Sequence, residues 1–405
     1  MTFSKRACAA AILAAALGLT GCSTDGDDAS STASPSQPST TAQPSITASG
    51  AAEPVPVPTI VIDGAPTATV VSQDEIASGL AAPWDIEPML DGSMLVSESE
   101  TGTIKRLRAG FATTLNGPGA EALRSTVDGD GEGGLLGLAI SPADPGVIYA
   151  YVSRSESNSV VRMTLTGELL SSPVEIVSGI PHATNHNGGR IAFGPDGYLY
   201  IATGDAGDGQ LAQDEHSLAG KILRVVADGG EADGTAAPDN PFGTLVWSMG
   251  HRNVQGLGWA ADGRMYATEF GQDLQDELNL IVPGANYGWP AVEGLEGSPD
   301  GTALGETVDG LTYPVAQWPV ADASPSGMAI TADAIYIAAL RGEEIWRVPL
   351  TQTGTGAPAP LELDLGRIRD VAVGLEGSLR VLTSNTDGRG DPSDSDDHVY
   401  RLGLS

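Results

Sequence analysis

The chain is short of cysteine, aromatic residues and positive charge, and each shortage removes a class of function. Two cysteines, Cys8 and Cys22, in 405 residues cannot supply a disulfide framework or a cysteine zinc site. Twenty Lys and Arg stand against 52 Asp and Glu, a formal charge of −32. The basic residues do not cluster, which argues against nucleic acid as a partner, because phosphate neutralisation needs grouped Lys and Arg. The glycine-rich stretch 131–137 lacks the lysine of a phosphate loop, and no His-Glu-x-x-His zinc motif occurs. Aromatics are 5% of the chain, few for a broad apolar docking face. The hydrophobic run at 7–19 falls short of the ~20 residues of an ordinary membrane-spanning helix. What is plentiful is glycine, 53 residues, with 27 prolines. That content implies many turns and few long helices.

Lys5 and Arg6, the apolar run and then Leu19-Thr20-Gly21-Cys22 have the order of a secretory signal: basic, apolar, small. Leu-Thr-Gly-Cys resembles the lipobox of bacterial lipoproteins, in which the chain is cut before the cysteine and the cysteine is lipidated. The resemblance implies a signal peptide over 1–21, lipidation of Cys22 and a mature domain without thiols. It further implies an exported, lipid-anchored protein whose domain lies on the extracytoplasmic side and meets the membrane only through the anchor. Residues 23–58 contain no aromatic, Lys or Arg and are dominated by Ser, Thr, Ala and Pro. Such a segment cannot bury enough apolar surface to offset its ordering entropy, so 22–58 is expected to be a tether.

From residue 59 to 405 one pattern recurs six times: an apolar strand, a turn marked by Pro or Asp-Gly, and a second strand. The copies open at Trp84, Leu138, Arg190, Leu257, Met328 and Val371. Several continue into a further strand, as at 221–225, 344–348 and 398–402. Period-two alternation with Asp-Gly turns is hairpin chemistry. Six copies give roughly 58 residues each, somewhat above the ~40–50 of compact propeller blades, with room for insertions after Asp205 and Asn286. The expectation is an all-β, six-bladed β-propeller, in which radial blades leave few open sheet edges; a pair of β-sandwiches is the alternative.

Chemistry in a propeller belongs to the loops at one end of the channel. His186, in Asn185-His186-Asn187-Gly188-Gly189-Arg190, is flanked by glycines that leave its ring uncovered. Asp205 ends the hairpin that Arg190 begins, so it can reach His186, fix its tautomer and make the other nitrogen a better base. Arg252, in Gly250-His251-Arg252-Asn253-Val254-Gln255-Gly256, offers a permanent planar charge to an anion. Arg367 and Arg369 share a strand face and repel unless an anion lies between them; Asp370 or another acid could serve instead. Glu269-Phe270-Gly271-Gln272-Asp273 follows the fourth strand, and exposed carbonyls beside its glycine could bind a hard cation such as calcium. The acidic run 391–397 reads as a solvated loop, with a second cation site as the alternative. The pair His182/His186 has zinc spacing only on a helix, which the local Pro, Asn and Gly residues disfavour.

Taken together, His-Asn-Gly-Gly-Arg, Gly-His-Arg-Asn-x-Gln-Gly, Asn286-Tyr287-Gly288-Trp289-Pro290 and Arg367-Ile368-Arg369-Asp370 resemble the soluble sugar dehydrogenases dependent on pyrroloquinoline quinone (PQQ). The aldose sugar dehydrogenase branch is the nearest in pattern. The resemblance covers about residues 75–405. It implies oxidation of an aldose at C1 to a lactone, with PQQ and calcium as cofactors and electrons passed to an acceptor the sequence does not name. His186 would be the general base, Asp205 its support and Arg252 the stabiliser of charge on the quinone. Asn253, Arg367 and Arg369 would bind the cofactor, and the carbonyls of Gly271 and Gln272 would hold calcium. Trp318 resembles a sugar-contacting aromatic. Two residues depart from the family. Glu132 replaces a glutamine, and a carboxylate there needs calcium or an arginine close by. Arg341 replaces a lysine, keeping the charge but not the shape; both are expected to face the cofactor. A binding propeller without catalysis and a calcium-dependent lactone-hydrolysing propeller are the rival readings.

Overall fold

A computed structural model describes residues 67–405, residue 228 excepted. The expected signal peptide, Cys22 and the tether lie outside the described residues. Six antiparallel sheets of four or five strands follow one another along the described residues, with a two-stranded sheet, Thr307–Val308 and Leu311–Thr312, inserted in the fourth. Their innermost strands are Pro83–Pro88, Leu135–Ile140, Ile191–Phe193, Val254–Trp259, Pro325–Ile330 and Ile368–Val373. Each packs against the innermost strands of its two neighbours, the last against the first. This is the six-bladed β-propeller expected from the repeats.

The alternation that marks strands in the sequence would leave one face of each wet. Instead the second strand of several blades is buried at every position, as in Met94–Glu98, Met265–Glu269 and Ala334–Ala339. A blade is covered on both faces by the next blades, so its inner strands carry apolar residues on both sides. Each fully buried Leu, Ile or Val contributes about 1.5–3 kcal/mol. Solvent reaches the outermost strands, and Phe111–Thr114 is exposed throughout. In the first, third and fourth blades the chain turns between first and second strands on an Asp-Gly pair. Gly197 and Gly263 take φ of +80° and +89°, a region open to glycine and strained for other residues. These turns mark one end of the propeller. The segments that lead into the first strands and out of the second strands gather at the other end, where the candidate site residues fall.

The ring is latched by a strand that the repeats did not assign. Val70–Ala77 pairs antiparallel with Val399–Leu404 as the outermost strand of the sixth blade. At the channel axis Arg190 ties four blades together. Its guanidinium pairs with Asp85 and, at 3.1 Å, with Asp370, and its Nε donates to the Gln255 carbonyl at 2.9 Å. It also lies 4.4 Å over the Trp84 ring. Asp370 is therefore committed to Arg190 and does not serve the arginine pair beside it. Such a buried cluster needs every charge partnered, because unpaired burial costs several kcal/mol per ion, roughly.

Candidate functional site

Residues 182–190 run across the channel mouth and are fixed from below. The Asn187 side chain accepts from Asn158 Nδ2 at 3.1 Å and donates to the Ala183 carbonyl at 2.7 Å. Gly188 lies directly against the residue that follows the strand Leu199–Ala202; a Cβ there would stand 2.6 Å from the Thr203 backbone. His186 itself has φ of +58°, a left-handed conformation that costs a non-glycine residue energy and concentrates at functional sites. The Glu132 carboxylate holds it there, accepting the His186 backbone N–H at 2.9 Å.

The His186 ring meets Asp205, Nδ1 to Oδ1 at 2.7 Å. Asp205 also accepts the Gly207 N–H at 2.8 Å and the indole N–H of Trp289 at 2.8 Å. Burial by itself would raise the Asp205 carboxyl; the bond and charge of His186, with the Gly207 and Trp289 donors, hold it below the usual carboxylate range. An ionised Asp205 keeps the proton on Nδ1 and leaves Nε2 with its lone pair.

Two cavities meet at His186. A cleft of 690 Å³ is lined by His186, Asp205, Gln272, Trp289 and Glu293 among others. A smaller one of 210 Å³ has Arg252, Arg341, Arg367 and Arg389 in its wall against Glu132 and Asp276, and it shares His186 and Gln272 with the cleft. Four guanidiniums in one small cavity of so acidic a chain mark a place for an anion. Arg252 Nε and Arg367 Nε are buried without a partner among the described residues, as is Arg369 Nε. Donors left unmet in this way suit a ligand rich in carboxylates.

Arg367 and Arg369 converge as the strand period implies, and the anion between them is Asp387, at 2.8 and 3.6 Å. Arg369 stands one step back, beside Trp84, Gln255 and Arg389, and burial pulls its guanidinium down to about 10. Glu132 has the arginine that a carboxylate needs there. Arg389 pairs with it at 3.1 Å. Burial works against the Glu132 charge, but the His186 N–H and Arg389 keep its carboxyl below the ordinary range. Arg341 donates to the Val320 carbonyl at 2.8 Å. Arg252 lies 5.3 Å from the Trp289 ring centre and donates to the Phe270 carbonyl at 3.2 Å.

Two expected contacts are corrected. Trp318 does not face a sugar. It is 4% exposed, packed against Trp346 at 5.6 Å in the core shared by the fourth and fifth blades. The aromatic lining the cleft is Trp289, whose motif the sequence reading used only as a mark of resemblance. Asn253 lies fully buried behind the cavity wall. It accepts the Gly188 N–H at 3.0 Å and donates to Glu132 at 3.2 Å, so it shapes the site rather than lining it. The run 391–397 is also not uniformly solvated. Asp397 is fully buried and accepts from Thr383 and Asn385.

Gly271 and Gln272 line the small cavity, and among the described residues neither carbonyl oxygen accepts a hydrogen bond. A Cβ on Gly271 would overlap the Gln275 carbonyl and stand 2.7 Å from Glu293 Oε1. No group of three His, Cys, Asp or Glu side chains suited to a metal occurs among the described residues. A cation at this place would rely on these backbone oxygens and on its ligand, a donor set that suits calcium. Asp387, Arg389, Asp276 and Glu293 escaped the sequence reading. The first two sit in a loop that reads as a polar tail, and no local pattern marks the others.

Comparison with known proteins places the chain among sugar dehydrogenases. Quinoprotein glucose dehydrogenase B of Acinetobacter calcoaceticus is 32% identical over 260 residues, which is 55% of this chain and 52% of that protein; the match thus spans about half the length of that relative. The PQQ-bound structure of an aldose sugar dehydrogenase from Streptomyces coelicolor is 45% identical, with a TM-score of 0.75, covering 84% of this chain and 98% of that one. The apo structure of a soluble aldose sugar dehydrogenase from Escherichia coli is 27% identical, with a TM-score of 0.70, covering 83% and 99%. Residues 80–391 match the family described as Glucose / Sorbosone dehydrogenase, and the chain belongs to that family.

Proposed function

We propose that the protein oxidises an aldose at C1 to the lactone, using PQQ and calcium. The observation that carries this reading is His186, bonded to Asp205, on the wall common to the open cleft and the arginine-lined cavity. The cleft is large enough for a sugar and open to solvent; the four arginines in the cavity wall suit a polyanion. His186 Nε2, the nitrogen not bonded to Asp205, takes the proton of the C1 hydroxyl. Asp205 stabilises the imidazolium that forms. As that proton leaves, the C1 hydride must leave too, giving a carbonyl and so the lactone. When bound, the quinone supplies the two-electron acceptor and calcium the Lewis acidity that side chains lack. Arg252 offers charge where negative charge grows, and Arg367 and Arg341 bind carboxylates, with Arg369 adding its charge from one step back. The electrons then pass to an external acceptor.

The test is reconstitution. The domain from about residue 59 is mixed with PQQ and excess calcium, then given glucose or another aldose and an artificial acceptor. Dye reduction that requires both additions is the expected result. His186→Ala should abolish turnover while PQQ remains bound; near-normal turnover would refute the mechanism. Failure with a panel of aldoses, together with no PQQ binding, would favour a non-catalytic binding propeller. We also propose export and lipidation at Cys22, on the signal and lipobox pattern. Incorporation of labelled fatty acid that survives Cys22→Ser would overturn the lipidation.

A further inference from the structure

The loop after the second strand of the fourth blade is wound around a single carboxylate oxygen. Glu293 Oε1 accepts four successive backbone N–H groups: Gln272 at 2.7 Å, Asp273 at 3.0 Å, Leu274 at 2.7 Å and Gln275 at 3.0 Å. At the head of the loop the Gly271 N–H is taken by Asp276 Oδ1 at 2.9 Å. Glycine at 271 permits the approach, since any Cβ would stand against Glu293 and the Gln275 carbonyl. Successive N–H groups converging on one anion form a nest. Here the anion is the protein's own side chain, from a segment 18 to 21 residues further along the chain.

The consequence follows from peptide planarity. In a trans peptide the carbonyl of one residue points opposite to the N–H of the next, and both peptides following Gly271 and Gln272 are trans. Turning the Gln272 and Asp273 N–H groups toward Glu293 therefore turns the Gly271 and Gln272 carbonyls away from it. Those two oxygens have no hydrogen-bond donor among the described residues, and their residues line the arginine cavity. We infer that Glu293 is the positioning residue of the calcium site. It aims two carbonyl oxygens and holds them aimed before the ion arrives, and its charge behind the loop adds to the pull on a cation. This rests on the calcium reading above and adds to it the residue that sets calcium affinity.

The experiment measures PQQ binding to the apoprotein by optical titration across a calcium series, for the natural chain, Glu293→Ala and Glu293→Gln. Partners that orient metal ligands typically change metal affinity about 10–100-fold when lost. Glu293→Ala should therefore raise the calcium concentration for half-maximal PQQ binding by at least about tenfold. Glu293→Gln keeps an oxygen acceptor and should shift it less. In excess calcium both variants should bind PQQ at the natural stoichiometry, a rescue that general damage to the fold would not allow. If the alanine variant does not fold, the glutamine variant decides, with a shift of at least about threefold expected. A half-maximal calcium concentration unchanged in the variants, or a deficit that excess calcium does not restore, overturns the inference alone. PQQ binding by the natural chain that ignores calcium overturns the calcium reading and this inference together.

Discussion

Replacing Asp205 by Asn tests the dyad more sharply than removing it, because the shape is kept and only the hydrogen-bond polarity changes. Asp205 Oδ1 accepts from His186 Nδ1 and Gly207 N, and Oδ2 accepts from Trp289 Nε1. Asparagine has one acceptor oxygen and one donor NH₂. With the oxygen toward His186, the NH₂ faces the indole N–H, donor against donor. With the amide flipped, the NH₂ faces Nδ1 and drives the proton onto Nε2, where the base must be free. Either arrangement costs, and the flipped one removes the base outright. General-base catalysis contributes about 10²–10⁴-fold, and a wrong tautomer in the serine-protease triad costs about 10⁴. Asp205→Asn should then lower kcat by about 10²–10⁴, or roughly 3–5 kcal/mol of barrier. Asp205 does not line the arginine cavity, so PQQ affinity should change less than about threefold, well under the ~1.5–3 kcal/mol of a lost charged hydrogen bond. The assay is dye reduction at saturating PQQ and calcium, with cofactor binding titrated separately. A kcat within fivefold of the natural enzyme would refute the role given to the dyad, because the bottom of the general-base range, about 10²-fold, is roughly twentyfold larger.

Arg367→Ala should weaken PQQ binding by about 10–100-fold, the value of a lost charged hydrogen bond, and optical titration would show it; unchanged affinity would remove Arg367 from the clamp. Trp318→Phe should leave the KM for sugar unchanged while lowering the thermal midpoint, because the ring is core packing; a KM shift at constant stability would return it to the substrate site. Glu87 is raised to about 8, by burial first and then by Asp85. Its folded pKa lies above its unfolded one, so the folded state holds the proton more tightly and stability is lost as pH rises from about 4.5 through about 8. Glu87→Gln should melt above the natural protein at pH 9 and close to it at pH 4, and the opposite order would refute the assignment. Because the chain carries −32 overall, long-range repulsion should slow the arrival of an anionic cofactor. Raising ionic strength from ~0.01 to ~0.1 M, which cuts the Debye length from about 30 to about 10 Å, should speed PQQ loading in stopped flow. A rate that falls with salt would show that the arginine cavity already governs the approach.

The propeller was legible because its repeats are local. A first strand, an Asp-Gly turn and a second strand sit within about 20 residues, and turn chemistry and apolar period both act at that range. The latch of the sixth blade was not, since Val70–Ala77 finds its partner at the far end of the chain and nothing in its own eight residues names that partner. Likewise, the dyad was legible because one hairpin brings its ends together, so the chain between Arg190 and Asp205 already dictates proximity. Trp318 misled because its place rested on the resemblance of Gln317-Trp318-Pro319 alone, with no local pattern to show which way the ring faces. In the fold it is part of the outermost strand of the fourth blade, Ala316–Pro319, with the next blade over its ring.

The arginine pair marks where local reasoning stops. Strand period puts Arg367 and Arg369 on one face and demands an anion between them, and that much holds. It does not say which anion. Asp370 is adjacent in sequence, but its carboxylate already belongs to Arg190 across the channel. Asp387 arrives from the loop beyond the next strand, and it does so because buried Asp397 pins that loop through Thr383, Asn385 and Thr386. The same loop brings Arg389 to Glu132. The charge balance of the cavity is thus set by a segment whose composition reads as a polar tail and whose path depends on one buried aspartate. Glu293 is the parallel case on the opposite side of the site. In both, a carboxylate brought in from a distant loop places the groups that the sequence motifs supply.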